Sequence, residues 1–224
     1  MRYSHDETLK RIKEYRLVAI LRAVPMEKVE GVVSALIAGG VKVLEFTYDH
    51  GEQDYLDATT NKIRYACEHF GKDAVIGSGT TLTVEEVEAT YAAGASLIIT
   101  PNVNPDVIKR ARALDMVAMP GALTPTEIEL AWRNGADIVK VFPAGNLGPD
   151  YIKAVRGPLA HIPLSAVGGI SVENVPAFLK AGVCGFGIGG PLVIPAAVKA
   201  GDYKAIEERA RAFVEAIASW EAGK

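Results

Sequence analysis

The chain has 224 residues, of which 49% are hydrophobic and 23% charged, with a formal net charge of −3. That length and balance suit one soluble, well-packed domain over 1–224, and a barrel can use all of it. The small negative charge makes no electrostatic case for nucleic acid or an anionic membrane as partner. Cys67 and Cys184 form no CxxC pattern, and residues 1–7 carry no apolar signal-like core, so the cytoplasm is the expected setting. The longest uncharged stretch, 181–198, contains five glycines and two prolines and is not expected to cross a membrane.

In chain order, a leading helix is expected over about 6–16. Strand-like runs follow at 17–21, 41–47, 74–77, 96–100, 116–119, 137–142, 162–167 and 183–188. Helix-like stretches lie between them, among them 26–38, 84–93, 105–114, 125–134 and 172–181, and a trailing helix is expected near 203–221. Thr83 before Val84-Glu85-Glu86, and Thr124-Pro125-Thr126-Glu127, read as helix starts. Gly40, Gly94, Gly135 and Gly182 stand where helices should stop.

Alternating strands and helices, with near-continuous apolar strands, imply a parallel sheet covered by helices. Eight such units in this length predict a (β/α)8 barrel with an extra N-terminal helix. A doubly wound open sheet is the alternative. It would place a glycine-rich fingerprint after the first strand, where the chain instead reads Leu21-Arg22-Ala23-Val24-Pro25.

In a barrel of this kind the chemistry gathers at the carboxyl ends of the strands. Those ends supply Arg22, Glu45, Thr80, Pro101, Lys140, Gly168-Gly169 and Gly189-Gly190. Lys140 sits inside the apolar run Ile138-Val139-Lys140-Val141-Phe142. Desolvation there disfavours the ammonium form and leaves an amine able to attack carbonyls. The residues alone leave open a lysine that reaches solvent from an edge strand. The two-residue strand period puts Val43, Glu45 and Thr47 on one face, so an inward Glu45 can serve as general acid and base. A structural ion pair of Glu45 with Arg22 or Lys140 is the competing reading, and an ionised Glu45 would raise the Lys140 pKa.

Gly168-Gly169 leads into Ser171-Val172-Glu173-Asn174, read as a helix start, and Gly187, Gly189 and Gly190 follow the last strand. Glycines in those two places let backbone N–H groups approach a phosphate, although each pair alone could be an ordinary turn. The histidines at 5, 50, 69 and 161 are scattered, and no metal site is expected. His50 stands apart because Asp49-His50 lies just beyond Glu45.

The chain resembles the class I 2-keto-3-deoxy-6-phosphogluconate / 6-phosphogalactonate aldolase family over nearly its whole length. The resemblance runs through Val18–Arg22, Leu44-Glu45-Phe46-Thr47, Gly77-Ser78-Gly79-Thr80 and Pro120-Gly121. It continues through Val139-Lys140-Val141-Phe142-Pro143-Ala144, Val167-Gly168-Gly169 and Gly187-Ile188-Gly189-Gly190. It implies a lyase without metal or organic cofactor that splits a phosphorylated keto-deoxy sugar acid into pyruvate and glyceraldehyde 3-phosphate. By position Lys140 would form the Schiff base, Glu45 would transfer protons, Thr80 would touch the pyruvate part, and the two glycine pairs would cradle phosphate. A homotrimer is also implied.

Three positions depart from the gluconate-cleaving pattern: Asp49 where an arginine binds the substrate carboxylate, Ala166-Val167 where a Pro-Thr precedes the glycine pair, and Gly190 where the phosphate loop has a serine. The Ala166-Val167-Gly168-Gly169 form, with Arg22 and Gly148-Pro149-Asp150-Tyr151-Ile152-Lys153, is closer to the 6-phosphogalactonate branch, where Arg22 would contact the substrate anion. A sugar-phosphate epimerase and a non-catalytic oligomeric scaffold are the competing functions.

Overall fold

The computed structural model describes residues 2–222. Nine parallel strand segments surround a central axis: β1 (Leu17–Leu21), β2 (Val43–Thr47), β3 (Val75–Gly79), β4 (Leu97–Ile99), β5 (Val117–Met119), β6 (Gly121–Ala122), β7 (Val139–Val141), β8 (Leu164–Val167) and β9 (Gly185–Ile188). Their order is β5-β4-β3-β2-β1-β9-β8-β7-β6, a nearly closed parallel barrel rather than a doubly wound sheet. The expected eight strands become nine segments because Pro120, which has no N–H, divides the fifth strand into β5 and β6. The chain still bridges its neighbours there. Lys140 N–H donates to the Pro120 carbonyl at 2.9 Å, and Asp137 N–H donates to the Ala118 carbonyl at 3.0 Å.

Among the described residues, ten α-helices accompany the strands: α1 (His5–Tyr15), α2 (Val29–Ala38), α3 (Tyr55–Phe70), α4 (Val84–Ala92), α5 (Pro105–Ala113), α6 (Pro125–Arg133), α7 (Ala144–Arg156), α8 (Val175–Ala181), α9 (Pro195–Ala200) and α10 (Tyr203–Ala222). The expected caps form. Glu86 N–H donates to Thr83 Oγ1 at 3.2 Å, and Glu127 N–H to Thr124 Oγ1 at 3.3 Å, each closed into a capping box by the returning glutamate. Gly40, Gly94, Gly135 and Gly182 all take positive φ just past helix ends, between 95° and 101°.

Two helix boundaries differ from expectation. The stretch at 26–38 opens with a 3-10 turn over Met26–Lys28 before α2 begins. The stretch at 172–181 becomes helical only at Val175, because the Asn174 side chain accepts from Ser171 N–H at 2.9 Å and donates to the Gly169 carbonyl at 2.9 Å. An asparagine that ties up its own approach segment in this way competes with helix formation.

Strand parity sorts the two layers of core. Leu44, Phe46, Val139, Val141, Leu164, Ala166 and Phe186 belong to the large cluster shared with the helices. Val18, Val43, Val75, Leu97, Val117 and Ile138 form a second cluster with Ile12 of α1, inside the barrel. α1 therefore plugs the amino end of the barrel. It forms because Ser4 caps it, Asp6 and Glu7 lie in its first turn, and it ends at Arg16 with φ 55°. The carboxyl end of the barrel, unplugged, is where the polar interior side chains lie.

Candidate active site

The inward parity that carries Val43 into the lower core also carries Glu45, two residues later, into the layer above. Lys140 arrives from the opposite side of the barrel, on β7, between Gly121 of β6 and Ser165 of β8 in register. β7 is thus an interior strand and Lys140 is only 7% exposed, which removes the edge-strand alternative. Glu45 is 1% exposed.

Burial acts on both groups more strongly than their mutual attraction. It pushes the Glu45 carboxyl up to about 7, against the opposing pull of Lys140 and then Arg22. It also holds the Lys140 ammonium below the ordinary lysine range, with Glu45 opposing and the positive charge of Arg22 assisting. A carboxyl near 7 can both take and return a proton at neutral pH, and an amine of lowered basicity can be a nucleophile.

A cavity of about 210 Å³ opens over this pair. Its wall contains every expected site residue: Arg22, Glu45, Thr80, Pro101, Lys140, Gly168, Gly169, Gly189 and Gly190. Ile20, Phe142, Val167 and Ile170, none of them expected as a site residue, add apolar walls. The Phe142 ring is placed with its centroid 5.3 Å from Lys140 Nζ. Gly79, quoted in the sequence only as part of the Gly77-Ser78-Gly79-Thr80 motif, has a packing role here. A Cβ there would lie 2.7 Å from both Cδ and Oε2 of Glu45, so this carboxyl fits only against bare backbone. A larger cavity of about 470 Å³ shares Ile20, Arg22, Gly189 and Gly190 with the first but contains neither Lys140 nor Glu45. Only the smaller of these two is lined by both Lys140 and Glu45.

The two glycine pairs are built differently. Gly168 and Gly169 have φ 86° and 72°, and a Cβ on Gly169 would come within 2.9 Å of Gly145 Cα. Glycine is required there by conformation and by close backbone approach. At Gly190 a Cβ would meet nothing within 4 Å, so steric demand does not explain that glycine. Because α8 starts only at Val175 and is seven residues long, the helix-start contribution expected beside Gly168-Gly169 is displaced from the loop. Thr80, a β-branched residue, takes φ 54° at the cavity wall, an unfavourable conformation of the kind found at ligand-contacting positions.

Asp49 and His50 fall outside this wall. The Asp49 carboxylate is turned onto its own loop, accepting from Gly51 N–H at 3.2 Å. His50 Nε2 lies 2.7 Å from Oε1 of the fully buried Glu86, the same residue that caps α4. His50 therefore fastens the loop after β2 to the start of α4. Among the described residues, no group of three or more His, Cys, Asp or Glu is arranged to hold a metal ion.

A buried amine and a buried carboxyl thus line one cavity of a parallel β/α barrel. A family model described as "Aldolase: KDPG and KHG aldolase" matches residues 8–209, and the chain belongs to that family of lyases. It is 38% identical, over 85% of its own length and 87% of the relative's, to a probable 2-dehydro-3-deoxy-6-phosphogalactonate aldolase of Rhizobium meliloti (strain 1021). It is 36% identical to the 2-dehydro-3-deoxy-6-phosphogalactonate aldolase of Escherichia coli (strain K12), over 79% of this chain and 83% of that one. A solved structure described as native KDPGal superposes with a TM-score of 0.83 at 33% identity, covering 92% of this chain and 96% of the other.

Proposed function

We propose that the chain, acting as one barrel domain, is a class I aldolase that cleaves a 2-dehydro-3-deoxy-6-phospho sugar acid to pyruvate and D-glyceraldehyde 3-phosphate. The observation that carries this reading is the buried Lys140–Glu45 pair in a family of aldolases. In the cleavage direction the neutral Lys140 amine adds to the C2 ketone, and loss of water leaves an iminium. The Glu45 carboxylate takes the proton of the C4 hydroxyl as the C3–C4 bond breaks, and the bonding electrons pass into the iminium to give an enamine. Glu45 then returns the proton to C3, and water releases pyruvate and the free amine. Arg22 faces the anionic end of the substrate, Thr80 and Pro101 border the pyruvate portion, and the backbones of Gly168, Gly169, Gly189 and Gly190 receive the phosphate. Binding of the remote phosphate positions the reacting bond.

Of the two C4 epimers we expect the galactonate to be the better substrate, supported by Ala166-Val167, by Arg22 in the cavity wall and by the galactonate aldolases named above. Family membership favours lyase chemistry over the epimerase and scaffold readings. The same proposal includes a homotrimer, to which the exposed Leu123, Phe142 and Leu147 on the segments leaving β6 and β7 would contribute, and cytoplasmic residence, which suits two free cysteines. Light scattering of the purified chain tests the trimer.

The decisive experiment is borohydride reduction in the presence of pyruvate. Peptide mass spectrometry should find one reduced adduct on Lys140, formed equally well with EDTA present. An unmodified Lys140 under saturating pyruvate would end the aldolase reading.

A further inference from the structure

Below the reactive pair the barrel contains a second, much smaller cavity of about 10 Å³. It shares Glu45 and Lys140 with the catalytic cavity above and reaches down to Val18, Ile99 and Met119 of the lower core. One further polar side chain lines it, Ser165 of β8. Ser165 is 2% exposed and lies beside Lys140 in the ladder, so its side chain shares the inward face. Its Oγ has no hydrogen-bond partner in the protein, and neither does Oε2 of Glu45. Two buried polar atoms left unpaired around one cavity are costly unless something small and polar sits between them. The volume matches a single water, and Ser165 Oγ, Glu45 Oε2 and Lys140 Nζ supply the two to four polar contacts a buried water requires.

We propose that Ser165 anchors one water molecule beneath Lys140 and Glu45, and that this water donates a hydrogen bond to Glu45 Oε2 and sets the proton affinity of that carboxyl. Ser165 is a positioning residue in this scheme: its hydroxyl donates to the water oxygen, leaving the water hydrogens to face Glu45 and the Lys140 amine. No bond to carbon is made or broken at this site. A hydrogen bond donated to a carboxylate favours its ionised form. The water thus joins the two charged groups that face Glu45, Lys140 from β7 and Arg22 from the segment after β1, in resisting the upward push of burial. The proposal rests on Glu45 as the proton-transfer group only for its kinetic consequence.

The test is a ¹³C NMR titration of the Glu45 carboxyl in the full chain, in wild type and Ser165→Ala. Loss of the anchor should raise the midpoint in Ser165→Ala. The kcat profile should follow. Turnover of Ser165→Ala should fall about 3- to 10-fold at pH 6, for a shift of roughly half to one pH unit, and much less at pH 8.5. A structural role would lower thermal stability or turnover alike at all pH values. An unchanged carboxyl midpoint in Ser165→Ala would overturn the proposal, as would a high-resolution crystal structure without ordered density between Ser165 Oγ and Glu45. A shifted midpoint in a protein that fails borohydride trapping would support the water site and overturn the aldolase reading instead.

Discussion

Gly79→Ala is the most searching perturbation of the catalytic layer, because it adds one methyl group and changes no charge. The added Cβ would sit 2.7 Å from Glu45 Cδ and Oε2 and 2.9 Å from Oε1. Ordinary carbon contacts begin about 3.5 Å apart, so the carboxylate must withdraw by roughly 1 Å or the strand must yield. Beneath Glu45 lies a cavity of only about 10 Å³ above the packed interior of the barrel, and β3 is held by β2 and β4 on either side. Withdrawal of the flexible carboxylate is therefore the cheaper response. A misplacement of about 1 Å typically costs on the order of 10²-fold in rate. Overpacking of this kind costs about 1–3 kcal/mol, and each kcal/mol is worth roughly 2–4 °C in a protein of this size. The variant should thus remain folded at 25 °C. Steady-state assay should show kcat down about 10²-fold with KM for the keto acid little changed, while pyruvate and borohydride still label Lys140. A folded Gly79→Ala with wild-type kcat would refute the reasoning, by showing that the carboxylate position is not critical or that β3 moves aside freely.

Lys140→Arg should abolish both trapping and turnover, since a guanidinium stays protonated and cannot add to a ketone. As the proposed base, Glu45 would act in its ionised form, which accumulates above its raised pKa of about 7. The neutral Lys140 amine likewise accumulates as pH rises, so wild-type kcat should increase with pH through about 7 and be lost below it. Glu45→Gln should slow turnover by about 10²–10⁴-fold, flatten that acid limb and still permit some adduct on Lys140; near-normal turnover would reduce Glu45 to a structural role. Arg22→Ala should raise KM for the keto acid far more than Asp49→Ala, because Arg22 lines the cavity and the Asp49 carboxylate is bonded to Gly51. The reverse ranking would place the anion contact elsewhere. Relative kcat/KM for the two C4-epimeric substrates should favour the galactonate, and a strong gluconate preference would count against the proposed branch.

Much of this protein is legible in its sequence because the informative signals are local. The strand–helix alternation, the capping boxes at Thr83 and Thr124 and the stop signals at Gly40, Gly94, Gly135 and Gly182 depend on neighbours a few residues away, and all appear as read. The two-residue strand period likewise put Glu45 on one face with Val43 and Thr47, and a lysine within an apolar run raised the case for a buried amine. Other readings needed the third dimension. Pro120 divides the fifth strand because an unpaired ladder position depends on which strands stand beside it. The start of α8 shifts to Val175 because Asn174 finds the Gly169 carbonyl. His50 became a fastening for α4 only when folding brought it to Glu86, thirty-six residues away. Gly79 stood in the Gly77-Ser78-Gly79-Thr80 motif without a stated reason and Ser165 was not singled out, since a missing Cβ or a lone hydroxyl acquires meaning only from what faces it across the barrel. The balance between burial and charge at Lys140 and Glu45 could be posed from the sequence but not resolved there. Desolvation depends on the water excluded by every surrounding strand, and that quantity exists only once the barrel has closed.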